Sequence, residues 1–75
     1  MKLYLVKREK GNVIVTILRN KNDNTYSFIN LTKRHICPCR FSSEFEALKD
    51  MDNKIIEGEI KSYRLIWMGF KNGDR

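Results

Sequence analysis

Apolar and polar residues alternate over three stretches in the first half of the chain, and each stretch predicts a strand. "LYLVKR", Leu3 to Arg8, is a short run of aromatic and β-branched residues. "EKGN" follows, with Gly11 and Asn12 able to take a positive φ, and predicts a hairpin turn. "VIVTILRN", Val13 to Asn20, is the strongest strand: Val13, Val15 and Ile17 line one face, and Ile14, Thr16 and Leu18 line the other. Because both faces are apolar, this strand is expected to be central or covered on both sides. Its second face offers a surface for a homodimer. "NKNDN", Asn20 to Asn24, predicts a turn whose side chains bond their own backbone. "TYSFINL", Thr25 to Leu31, is a third strand, with Tyr26 and Phe28 on one face and Ser27, Ile29 and Leu31 on the other. Strands joined by such short turns form an antiparallel meander.

After Phe41 the period changes from two to helical. In "SSEFEALKDMDN", Ser43 followed three residues later by Glu46 is a capping box. Glu44 and Glu46 fall in the first turn, where the helix dipole favours anions. Phe45, Leu48 and Met51 recur at helical spacing with Ala47 beside them, and Asn53 is read as a left-handed stop. A helix this short does not stand alone in water, so the Phe45 stripe is expected to pack on the sheet. Ile55 and Ile56 either extend the helix or begin a turn, and Gly58 breaks it. "KSYRLIWMGF", Lys61 to Phe70, predicts a fourth strand, with Tyr63, Leu65 and Trp67 on one face and Arg64, Ile66 and Met68 on the other. "KNGDR" is a polar end. The order β-β-β-α-β predicts a single α+β domain over residues 1–75, a small antiparallel sheet with one helix packed on a face.

Size narrows the functional classes. A 75-residue domain buries only about 60% of its unfolded surface, which leaves no room for a deep cleft between two lobes. No apolar run approaches the roughly 20 residues needed to cross a bilayer, so no membrane partner is expected. The apolar part of the N-terminus is only Leu3 to Val6, with no small-residue cleavage site after it. These features predict a cytoplasmic protein with reduced thiols.

Charge changes the picture more. The net charge is +6, unevenly spread: residues 1–41 carry +7, residues 42–60 carry −4 and residues 61–75 carry +3. A basic surface calls for an anionic partner, nucleic acid or an acidic protein face. Lys7, Arg8 and Lys10 flank the first hairpin, Lys33, Arg34 and Arg40 flank the stretch before the helix, and Arg19 and Lys21 begin the second turn. If these turns lie at one end of the sheet they make a phosphate-binding rim. Lys7, Arg8, Lys10, Lys33, Arg34 and Arg40 are the candidate partner-binding residues. Tyr4, Tyr26 and Tyr63 would stack on bases if exposed and are core or edge packing otherwise. Glu44, Glu46, Asp50 and Asp52 form an acidic helix face, either a solvated surface or a second contact for a basic partner.

"NLTKRHICPCRF", positions 30 to 41, holds the only histidine, both cysteines and the only proline. His35, Cys37 and Cys39 are three zinc-ligand types within five residues. A structural site wants four, with at least two residues between paired cysteines, and here the spacing is one. A zinc-stabilised domain therefore ranks third among the readings, and no metal or cofactor is assigned. A Cys37–Cys39 disulfide would close a small, strained ring. A Cys-His catalytic pair has a physical basis, since an imidazole and the helix start at Ser43 would both depress the Cys39 pKa. It lacks an oxyanion site and a cleft, so no catalytic residue is assigned. The remaining reading is structural: Pro38 makes "HICPC" a stiff crossover, with Ile36, Cys37 and Phe41 tucked under the helix.

Two resemblances bear on function. "FSSEFEALKDMDN" after three short strands resembles the small arm-binding domains of phage-type integrases, in which a three-stranded sheet carries one helix and the sheet face enters DNA. The "HICPC" insertion and the "SYRLIWMGF" strand depart from that pattern. The whole chain, through "NLTKRHICPC", a following Phe and the "EAL" helix, also resembles small reading frames of phages and mobile elements in low-GC bacteria. Proteins of that size and origin are often inhibitors of host defences, anti-CRISPR proteins among them. The resemblance implies a non-enzymatic protein that binds a host protein or nucleoprotein complex and inhibits or modulates its work on nucleic acid. The alternative is a module that binds DNA or RNA directly.

Overall fold

The computed structural model describes residues 1–69, in which five strands and one helix form. The alternating stretches become β1 (Lys2–Lys7), β2 (Val13–Asn20) and β3 (Thr25–Asn30), joined as the expected meander. β4 (His35–Ile36) pairs antiparallel with β3, then comes α1 (Glu44–Ile56), and β5 (Ser62–Met68) pairs antiparallel with β1. The strand order is therefore β4-β3-β2-β1-β5, one antiparallel sheet with α1 on one face. The α+β class read from the sequence holds, with one more strand than expected. Turn chemistry sets the connections: Gly11 takes a φ of +130° between β1 and β2, and Asn24 takes +60° between β2 and β3. In the second turn the Asp23 carboxylate accepts from the Thr25 N–H and hydroxyl, the local bonding expected of an Asx turn.

Register decides which residues meet α1. Tyr4 lies opposite Val15, Val6 opposite Val13 and Ile17 opposite Phe28, so these share the helix-facing side. Tyr4, Val6, Val13, Val15, Met51 and Ile60 form the buried cluster, with Ile17, Phe28, Leu48 and Tyr63 packed against it. Each aliphatic side chain fully buried there contributes about 1.5–3 kcal/mol. Tyr4 and Tyr63 meet edge-to-face at 6.2 Å. The other side of β2 carries Ile14, Thr16 and Leu18 as expected, but α1 covers only the first face, and Leu18 is 45% exposed. Thr16 is nevertheless buried, its hydroxyl donating to the Lys2 carbonyl at 2.7 Å.

The helix starts where the sequence places it, with Ser43 Oγ accepting from the Glu46 N–H at 3.1 Å. Its rotation differs from the expected one. Phe45 is 66% exposed under the Lys49 ammonium, and Ala47, Leu48 and Met51 turn inward instead. Burial of Ala47 and Met51, with Leu48 beside them, sets an inward stripe of 44, 47, 48 and 51 that leaves Phe45 one position off it, and a Lys2–Glu44 ion pair at 3.3 Å joins the first turn to β1. Asn53 does not end the helix, which continues through Ile55 and Ile56. It stops in a Schellman motif, with Glu59 N–H donating to the Lys54 carbonyl, Gly58 N–H to the Ile55 carbonyl, and Gly58 at a φ of +80°.

The stretch around Pro38 is not a crossover under the helix. It is the edge of the sheet: His35 pairs with Asn30, Cys37 N–H donates to the Phe28 carbonyl, and Phe41 forms an isolated bridge with Tyr26. From Phe28 to Tyr26 the inner strand advances two residues while the edge advances four, so Pro38 sits in a bulge where its missing N–H costs no ladder bond. Ile36 is consequently 62% exposed rather than tucked under α1. Cys37 and Phe41 are half-buried, and Phe41 packs edge-to-face on Phe28 at 5.5 Å. A second bulge, opposite Leu3 and Tyr4, divides β5. Leu65 and Tyr63 oppose Tyr4 and Val6, whereas Trp67 opposes Leu3, so the expected Tyr63-Leu65-Trp67 face is split. Phe70 and the "KNGDR" end lie outside the described residues. No described helix is long and apolar enough to cross a membrane.

Candidate functional site

The meander sorts the basic residues between two ends of the sheet. β1 runs toward the turn at residues 8–12, and β3 runs in the same direction toward the turn at residues 31–34. These two turns are stitched together, because Leu31 N–H donates to the Ile14 carbonyl and Ile14 N–H donates to Thr32 Oγ1 at 2.9 Å. Lys7, Arg8, Lys10, Lys33 and Arg34 therefore collect at one end, which we call the upper end. Lys61 joins them, its N–H bonded to the Lys7 carbonyl. Glu9, Glu57 and Glu59 share this end and leave it net basic.

Arg40 does not join the rim. The bulge carries it to the lower end, where its Nη1 lies 3.4 Å from Asp23 Oδ2. Arg19 and Lys21 are at that lower end too, and Arg19 donates to the Asn24 side chain at 2.6 Å. A single rim from all the turns is thus corrected to an upper cluster of five predicted residues and a lower group containing Arg40. The ion pairs among the described residues are Lys2–Glu44, Arg40–Asp23 and Lys54–Asp50, and none involves an upper-cluster residue. Hydrogen bonds to Thr25, with the Arg40 guanidinium adding to them, hold the Asp23 carboxyl below its ordinary pKa.

The upper cluster is held by local backbone geometry. Arg8 is fixed across its turn, its Nε donating to the Gly11 carbonyl and its carbonyl accepting from the Gly11 N–H. Lys33 N–H donates to Asn30 Oδ1 at 3.0 Å, and Arg34 takes a left-handed φ of +57°. A side chain other than Gly or Asn in that region is strained, so the turn keeps an arginine where glycine would be easier.

Beside the cluster a cleft of about 470 Å³ opens between the second half of α1 and the β4 side of the sheet. Val6, Val13, Val15, Phe28, Met51 and Ile60 give it an apolar floor, and Arg8, His35, Lys54 and the two thiols stand around it. Lys54 is tied to Asp50 at 2.7 Å, and that bond raises its pKa. Cys37 and Cys39 are free thiols, with Cys39 N–H donating to Cys37 Sγ at 3.3 Å. Burial, then the neighbouring Cys37, pushes the Cys39 pKa up, opposite to the activation expected from an imidazole and a helix start. No group of three or more His, Cys, Asp or Glu among the described residues is arranged to hold a metal ion. No motif in the sequence signals this cleft.

Most of the remaining candidates are engaged within the fold, while Tyr26 is half-buried beside Phe41 and Glu46 is exposed. Tyr4 is buried, and the half-buried Tyr63 packs edge-to-face on it and donates its hydroxyl to Asp52 at 2.8 Å. Burial and that carboxylate push the Tyr63 pKa up to about 12. Of the acidic helix face, Glu44, Asp50 and Asp52 are engaged by Lys2, Lys54 and Tyr63. Compared with protein-family models, with curated proteins and with solved structures, the chain matches none of them.

Proposed function

We propose that this chain is a non-enzymatic accessory protein of phage type that binds a nucleic-acid-processing host complex and inhibits or modulates it, in the manner of anti-CRISPR proteins. Its upper end is the contact surface. The observation that carries this reading is the gathering of Lys7, Arg8, Lys10, Lys33 and Arg34 on two stitched turns, outside every ion pair among the described residues. Cations left without internal carboxylates are available to an anionic surface and steer its approach. The adjoining cleft favours a protein face over bare nucleic acid, because an apolar pocket beside a charged rim accepts an anchoring side chain. Direct nucleic-acid binding draws less support: Tyr4 and Tyr63 are committed to packing and hydrogen bonding rather than to base stacking.

The test is affinity capture from lysates of low-GC bacteria with the wild-type chain and with Lys33→Glu/Arg34→Glu, paired with gel shifts on random duplex and single strands. The reading predicts retention of a nucleic-acid-processing complex by the wild type alone, with no shift at micromolar protein. Equal retention by both chains contradicts it. A salt-steep gel shift instead makes the chain a direct nucleic-acid binder.

A further inference from the structure

The two edges of the sheet are unequal. At one edge β4 has only two residues, followed by Pro38 and a bulge and flanked by Lys33, Arg34 and Arg40. Short length, proline, bulges and charge are the devices that stop a sheet edge from recruiting another strand. At the other edge β5 has seven residues, interrupted by a single bulge at Ile66 but without proline, and pairs only on its β1 side among the described strands. Leu65, Ile66, Trp67 and Met68 follow one another along it at 45%, 39%, 52% and 57% exposure. Its charge is confined to Arg64 and to Lys61 just before it, and it contains no acid. An exposed apolar edge of this length is a template for strand addition.

We propose that β5 is the interface for a second copy of this chain, pairing antiparallel with its counterpart about a two-fold axis perpendicular to the sheet. Two five-stranded sheets then become one of ten strands, with both helices on the same face. Charge favours a second copy as the occupant. With Leu65 on the axis and the bulged Ile66 outside the ladder, Arg64 faces the partner's Trp67 and Tyr63 faces the partner's Met68. This register sets no like charges opposite one another and matches Tyr63 with the partner's Met68 across the new ladder. The blunted β4 edge also closes the assembly at two copies, since a sheet with one open edge cannot propagate into a fibre.

The test is the mass of the purified chain in solution, by sedimentation equilibrium across a concentration series, for wild type and for Leu65→Lys/Ile66→Lys. Both positions are exposed, and the substitution sets lysines against lysines at the axis. The wild type is expected at twice the chain mass. The variant, folded by circular dichroism, is expected to dimerise at least about 100-fold more weakly. Amide exchange on the wild type gives a readout free of any folding defect: the outward N–H groups of β5 gain protection as concentration rises. A wild type that stays monomeric at millimolar concentration overturns the proposal. So does a dimer that survives the double substitution, which places the contact on the open sheet face instead, and so does β5 protection that ignores concentration.

Discussion

The upper and lower ends of the sheet carry the same kinds of basic side chain, yet among the described residues only the lower end pairs them with carboxylates. There Lys2 meets Glu44 and Arg40 meets Asp23, while Arg19 bonds the Asn24 side chain. At the upper end Lys7, Arg8, Lys10, Lys33 and Arg34 stand outside every described ion pair. Composition alone does not separate the two groups. Connectivity does: acids of the β2–β3 turn and the first helical turn meet the lower cations, whereas Glu9, Glu57 and Glu59 at the upper end form no ion pair among the described residues. The difference separates Lys2 and Arg40, which meet carboxylates within the fold, from upper cations that stand outside the described ion pairs.

The contrast requires that both ends hang on one core, and removing that core gives the largest effect. Met51 is 4% exposed at the centre of the buried cluster. Met51→Ala is expected to cost about 2–5 kcal/mol, a large share of the stability of so small a domain, read by denaturant unfolding. If the upper turns fold independently, their amide protection survives this change. Next in size is Gly58→Ala, which forces a side chain into a φ of +80° at the helix exit beside the upper cluster. No atom crowds that position, so the cost is conformational, about 1 kcal/mol, and a neutral result would show that the Schellman motif does not fix the upper end. Smaller and of opposite sign is Arg34→Gly, which relieves the left-handed φ of +57°. It is expected to stabilise the chain by about 0.5–1 kcal/mol while weakening partner binding, a divergence that separates the side chain's role from the fold's needs.

The pH dependence probes the packed side of the contrast. Tyr63 is driven up to about 12 by burial and by its bond to Asp52, while an unfolded tyrosine ionises near 10. A raised folded pKa means that the contribution is fully present below pH 10 and is lost as pH rises toward 12. Alkaline unfolding should steepen across that window and flatten in Tyr63→Phe. An unchanged slope would remove Tyr63 from the fold's alkaline sensitivity.

The sequence made much of this legible where a signal was local. Period-two alternation located β1 to β3 and assigned the faces of β2 and β3 correctly, and Ser43 with Glu46 marked the helix start. Long-range contacts hid the rest. Pro38 reads as a break, but a proline at a sheet edge is tolerated, so β4 went unseen. The helix rotation that exposes Phe45 follows from the burial of Ala47 and Met51 against strands far off in sequence. The upper cluster was legible because a meander returns alternate turns to the same end. Arg40 was misplaced because the bulge shifts it toward Asp23. The cleft joins the end of α1 to the β4 edge, and no single stretch of sequence encodes it.

The most direct measurement is a pair of affinities for the captured complex, one for a variant at each end. Lys33→Glu/Arg34→Glu at the upper end is expected to lose at least about 100-fold in affinity and to keep its unfolding midpoint. Arg40→Glu, which breaks the Asp23 pair at the lower end, is expected to bind as the wild type does. Equal losses from the two variants, or a loss from Arg40→Glu alone, would contradict the assignment of the upper end as the contact surface.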